Sequence, residues 1–202
     1  MILVYHKIGK DIRDDSESTV HYIVFFLQLF CIKLLCKKVV PLNVYNSQCK
    51  RHIVIRFDDV DKVTLKYVIP ILRFFNFKSE FFICDDFVKK GSYWANASDL
   101  KVVVNKGHHL QYHSKTHKDL TLFSDERILG NEIITPYYLK TLDFGGFEYF
   151  AYPCWKYNPL IKSVVSKFYK GGLSGNGFSD YTIWAMDGIR VSNNFSFIKK
   201  IF

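Results

Sequence analysis

Asp58 and Asp59 stand side by side at the end of the apolar run HIVIRF, residues 52–57. Adjacent side chains diverge there, so one carboxylate can hold a cation while the other reaches a water. His113 and His117 lie four apart in GHHLQYHSKTHKDL, residues 107–120. On a helical turn that spacing puts both imidazoles on one face, where they can share a cation. Two imidazoles and one carboxylate leave coordination positions open for water, as a catalytic rather than a structural site requires. A third stretch, FEYFAYPCWKYN, residues 147–158, is a strand stopped by Pro153. The loop after it offers the backbone N–H of Cys154 to a reaction oxyanion. Each stretch also has a plainer reading: a loop start or helix cap, an incidental histidine pair, a strand terminator with core aromatics. Asp14-Asp15 and Asp85-Asp86 repeat the acidic dipeptide elsewhere, so that pair is weak by itself.

The elements that must position these residues alternate between strand and helix. Strand-like runs lie at residues 2–6, near Val39 and Val40, and at 52–57, 80–84, 109–112, 147–152 and 189–191. Helical spacing fills 22–36, 63–75 with Pro70 as a kink, 98–105, a stretch from Ser124 bent at Pro136, and 159–169. Ser18 or Thr19 is the expected cap of the first helix, residues 7–18 an expected polar loop, and Gly171-Gly172 the expected stop of the last helix. This alternation predicts an α/β fold with a largely parallel sheet. The candidate polar residues recur at the C-terminal ends of the strands, where parallel α/β architectures, barrels included, carry their active sites.

Composition bounds the rest. The 202 residues, 49% of them hydrophobic, suit a single domain spanning 1–202. Lysine and arginine exceed the acids, 28 to 19. That balance favours anionic partners and admits peripheral contact with an anionic surface, but the charge is scattered and no nucleic-acid motif occurs. Five cysteines, an odd number without a C-x-x-C pair, argue against a disulfide framework. With no signal peptide ahead of ILVYH, they place the chain in the cytoplasm as an expectation. YIVFFLQLFCIKLLC, residues 22–36, is broken by Gln28 and Lys33 and is shorter than a membrane span.

Taken in order, the three stretches resemble the first three motifs of the NodB-like polysaccharide deacetylases, carbohydrate esterase family 4: Thr-Phe-Asp-Asp-Gly, His-Ser/Thr-x-x-His and Arg-x-Pro-Tyr or Phe-Ala-Tyr-Pro. The opening ILVYHKI resembles the start of many members, and the similarity runs from residue 1 to about 192. The resemblance implies a distorted or incomplete (β/α) barrel and hydrolysis of N-acetyl groups on amino sugars of a glycan. It implies one divalent metal ion, usually zinc, held by Asp59, His113 and His117. Asp58 would be the general base, and the Cys154 N–H would bind the oxyanion. The family's C-terminal Leu-x-His acid has no counterpart, because no histidine follows His117. Val4-Tyr5-His6 has the same apolar-x-His form and resembles the permuted poly-β-1,6-N-acetylglucosamine deacetylases, whose first strand supplies the acid. Trp155 and Tyr152 are the expected sugar contacts, while His108 and His109 read as structural. Arg56, Val60 and Ala151 depart from the motifs, replacing the usual Thr, Gly and Arg. Val60, Trp155 (where a Gly is common) and the missing C-terminal histidine keep open a degenerate carbohydrate-binding protein on the same fold; a deacetylase of a small or non-glycan amide is the other alternative.

Overall fold

The computed structural model describes residues 1–10, 19–141, 146–175, 182–196 and 198. In chain order the strands are β1 (Ile2–Tyr5), β2 (Lys7–Gly9), β3 (Thr19–His21), β4 (Lys38–Val39), β5 (His52–Asp58), β6 (Glu80–Ile83), β7 (His109–Tyr112), β8 (Tyr149–Ala151), β9 (Gly171–Leu173) and β10 (Ile189–Arg190). The helices are α1 (Tyr22–Leu34), α2 (Lys62–Phe75), α3 (Asp85–Lys90), α4 (Ala97–Asn105), α5 (Glu126–Ile133), α6 (Tyr137–Thr141) and α7 (Pro159–Ser166). The main sheet runs β10-β1-β5-β6-β7-β8-β9, with β4 beside the start of β5. Every pairing in it is parallel. Residues 183–186 hydrogen-bond along β9 before the chain reaches β10 beside β1. One irregular segment thus spans the two sheet edges, and the barrel stays incomplete.

Strand periodicity decides which side chains face the barrel interior. Leu3, Tyr5, Ile55, Phe57, Phe81, Ile83, Leu110 and Tyr112 belong to the large core beneath the helices. Ile2, Val4, Val54, Phe82, Tyr149 and Ala151 form a smaller inner cluster. Arg56 and Asp58 share the parity of Val54, and His6 that of Val4. The register pairs Val4 with Arg56 and Tyr5 with Phe57, so the next step brings His6 beside Asp58.

Several local expectations change. The polar loop after His6 contains β2, paired with β3. Thr19 lies in β3 and Ser18 outside the described residues; His21 caps α1, its side chain accepting from the Ile23 N–H at 3.3 Å. Pro70 sits inside α2 without ending it. Around Pro136 the helix stops at Ile133 and a separate α6 starts at Tyr137. Gly171 and Gly172 form β9 rather than a helix stop. A Cβ at Gly172 would stand 2.4 Å from the Tyr152 hydroxyl, so close approach, not a turn, requires glycine there.

Candidate active site

β5 ends by delivering Asp58 inward and turning sharply at Asp59, which holds φ 52°. The left-handed position therefore falls on Asp59, a residue type that tolerates it, and not on Val60. Val60 is buried, and its carbonyl accepts from the Ala95 N–H at 3.1 Å. Asp61 then starts α2, accepting from the Thr64 N–H and hydroxyl, both at 2.8 Å.

β7 ends at Tyr112, and His113 enters the cleft beside it. The i,i+4 spacing of His113 and His117 is not a helical turn. The loop between them passes through left-handed Ser114 at φ 73° and His117 at φ 60°. The Ser114 hydroxyl accepts from the His117 N–H at 3.0 Å and holds that bend. The imidazoles still converge, with ring centroids 4.8 Å apart. Five of the seven described non-glycine residues with positive φ (Asp59, Ser114, His117, Cys154 and Trp155) lie on the three loops around this point. Such strain persists only where the surrounding fold enforces it.

The donor set suits a cation. One ligand atom each from Asp59, His113 and His117 lies within 4.8 Å of the others. His113 Nδ1 lies 2.8 Å from the Ala151 carbonyl, which can only accept, so Nδ1 carries the proton and Nε2 presents a lone pair. Burial pushes the His113 pKa down to about 3, so the ring is neutral at neutral pH. His117 Nε2 approaches Asp59 Oδ1 at 3.2 Å without hydrogen-bond geometry, and that buried oxygen has no other partner among the described residues. The His113 Nε2 lone pair thus faces the Asp59 carboxylate, acceptor against acceptor, at 3.9 Å. Burial, opposed by His117 and reinforced by Asp58, raises the Asp59 pKa to about 6. A divalent cation would satisfy all three ligands at once.

Asp58 lies one residue away and is fully buried. Arg56 grips it with Nε and Nη2, each 2.6 Å from one carboxylate oxygen. Burial opposes ionisation, but Arg56, His113 and His6 outweigh it and hold Asp58 below the ordinary carboxylate range. In the first motif Arg56 is only a departure, standing where a Thr is usual. Its signal was the i,i+2 spacing on a strand, which puts both side chains on one face. His6 Nδ1 is buried without a partner among the described residues. Burial lowers the His6 pKa; Asp58 opposes that, while Arg56, Arg190 and His117 reinforce it.

After β8, Cys154 and Trp155 take φ 55° and 59°. The turn's own hydrogen bonds run from the Trp155 and Lys156 N–H groups to Tyr152 and Pro153. The Cys154 N–H has no acceptor among the described residues, as an oxyanion donor requires. The two expected sugar contacts are corrected. Tyr152 shares the outward parity of Phe150, is fully buried and donates its hydroxyl to the Trp184 carbonyl at 2.6 Å. Trp155 is 7% exposed, packed between His6 at 6.1 Å and the Arg190 guanidinium at 4.4 Å. The aromatic face that does open is elsewhere. Phe87 stacks on His117 at 5.7 Å and on Trp94 at 4.0 Å, and exposed Tyr93 meets Trp94 edge-on. GSYWAN, residues 91–96, carries the signal for it in the sequence. His108 and His109 are structural as expected, bonded to Ser79 and Glu80.

This arrangement matches known proteins in fold. The Streptococcus pyogenes deacetylase PplD, solved with acetate, superposes with a TM-score of 0.84 at 21% identity, covering 96% of this chain and 93% of that one. BC0361, a polysaccharide deacetylase from Bacillus cereus, gives 0.84 at 17% identity over 100% of this chain and 68% of that one. IcaB from Ammonifex degensii gives 0.76 at 16% identity over 95% and 91%. A search of curated proteins finds no significant match. The profile of the family described as polysaccharide deacetylase matches residues 45–169, more than half of the chain and all three motif stretches. The chain therefore belongs to the polysaccharide deacetylase family, a family of hydrolytic N-deacetylases.

Proposed function

We propose that this chain removes N-acetyl groups from amino sugars of a glycan, using a divalent metal ion, zinc by preference, at Asp59, His113 and His117. The observation that carries the reading is the convergence of those three ligand atoms beside a buried, ionised Asp58. A bound cation there supplies Lewis-acid polarisation of the acetamide carbonyl and a more acidic water. Asp58 then takes the proton from the attacking water, with Arg56 fixing its orientation. The Cys154 N–H donates to the oxyanion of the tetrahedral intermediate. Amine departure needs a proton, because an amide anion is a very poor leaving group. His6, beside Asp58 on the neighbouring strand, relays to the amine the proton that Asp58 takes from the water, so the step needs no standing charge on the ring, an arrangement in keeping with the permuted deacetylases. Tyr93 and Trp94 take over the sugar-facing role first expected of Tyr152 and Trp155.

An intact Asp58 argues against a purely binding role, since binding alone needs no base. The test pairs metal analysis with acetate release from N-acetylglucosamine oligomers. We expect about one zinc per chain and metal-dependent acetate release. His113→Ala and His117→Ala should lose both. Full metal retention in both variants would overturn the ligand assignment, and metal binding without acetate release would favour the carbohydrate-binding alternative.

A further inference from the structure

The α1 helix presents an apolar stripe to solvent. Ile23, Leu27, Phe30 and Leu34, spaced 4-3-4 along one face, are 48%, 43%, 45% and 64% exposed. The opposite face, Phe25, Leu29 and Ile32, fills the core, so packing does not explain the outer row. The stripe continues onto α2: Phe26 contacts Phe74 at 5.4 Å, and Phe74 is 71% exposed. Scattered exposed apolar residues need no explanation, but a contiguous row marks a contact surface.

Charge narrows the choice of partner. Neither α1 nor α2 contains an Asp or Glu. Their exposed charged residues are Lys33, Lys66 and Arg73, and Lys37 and Lys38 follow directly after α1. A two-fold contact with a second copy would set these cations against themselves with no acid to meet them. No helix among the described residues is long and apolar enough to cross a membrane. A 13-residue apolar helix rimmed by lysine and arginine instead suits the headgroup layer of an anionic bilayer.

We infer that the α1–α2 face binds anionic membrane surfaces, with Ile23, Leu27, Phe30, Leu34 and Phe74 entering the headgroup boundary and Lys33, Lys66 and Arg73 pairing with lipid phosphates. α2 begins three residues after Asp59, so the docking face reaches the rim of the cleft. A chain held this way opens its cleft along the bilayer plane.

The test is co-sedimentation of the purified chain with phosphatidylglycerol–phosphatidylcholine vesicles and with pure phosphatidylcholine vesicles. Wild type should pellet with the anionic vesicles and be released by salt. L27Q/F30Q and K66Q/R73Q, all at exposed positions, should each bind at least about tenfold more weakly while keeping the wild-type circular dichroism. Equal binding to both vesicle types, no binding to either, or undiminished binding by both variants overturns the inference. So does a dimer in solution that L27Q/F30Q converts to monomer, which would assign the stripe to a second copy.

Discussion

Arg56 and Asp58 form a closed pair on one strand, two residues apart, with both contacts at 2.6 Å and neither side chain exposed to solvent. The guanidinium also donates to the Ser174 carbonyl at 3.1 Å and lies over the Phe82 ring at 4.7 Å. Ala151 stands where the resemblance leads one to expect an arginine, so that position supplies no charge. The cation beside Asp58 thus comes from the first motif strand and not from the third.

Breaking that pair should cost more than removing it. Arg56→Met leaves Asp58 buried without a counter-charge, and we expect a loss of about 3–5 kcal/mol in urea unfolding. R56M/D58N removes both charges and should recover most of that loss. Additive losses in the double variant would show that the two side chains do not act as a pair.

The two aspartates should separate by assay. Asp58→Asn should keep the metal and lose turnover by roughly 10²–10⁴-fold, the usual range for a general base. Asp59→Asn should lose metal affinity as well. Isothermal titration with zinc on both variants distinguishes them, and identical zinc affinities would refute the division of roles.

His6→Ala should retain fold and metal content yet lose most activity on an N-acetylated sugar. An activated aryl ester should be affected far less, because its phenolate leaves without a proton. Equal losses on both substrates would point to a positional role for His6 instead of proton donation.

His108 predicts a specific acid sensitivity. Burial, with Lys78 and His109 adding to it, pushes its pKa from 6.5 down to about 4 in the folded chain. Above pH 6.5 the ring is neutral in both states and has no effect. As pH falls towards about 4, the unfolded chain takes up a proton that the folded chain refuses, and stability drops by on the order of 3 kcal/mol. His108→Asn keeps an acceptor for the Ser79 N–H, which His108 Nδ1 accepts at 3.3 Å. Unfolding free energies measured from pH 7 to 4 should fall less steeply in that variant.

The sequence by itself determined the α/β alternation, the strand ends that carry Asp58, His113 and Cys154, and the candidate cation donors, an aspartate of the Asp58-Asp59 pair with His113 and His117. Those features are local: apolar runs of strand length, turn residues after them, and chemistry-bearing types at the breaks. It also exposed the missing C-terminal histidine and pointed to His6. Only the tertiary structure decided what depends on parity, register and close approach. Parity sends Tyr152 into the outer core and Arg56 inward to Asp58, although both residues were visible in the motifs. Register brings His6 beside Asp58, 52 positions further along the chain. The convergence of His113 and His117 comes from a left-handed loop that no spacing rule encodes. Gly172 reads as a helix stop until the Tyr152 hydroxyl is found against its Cα. In each case the deciding contact joins residues far apart in the chain, and a one-dimensional pattern carries no record of which distant side chain will occupy the space.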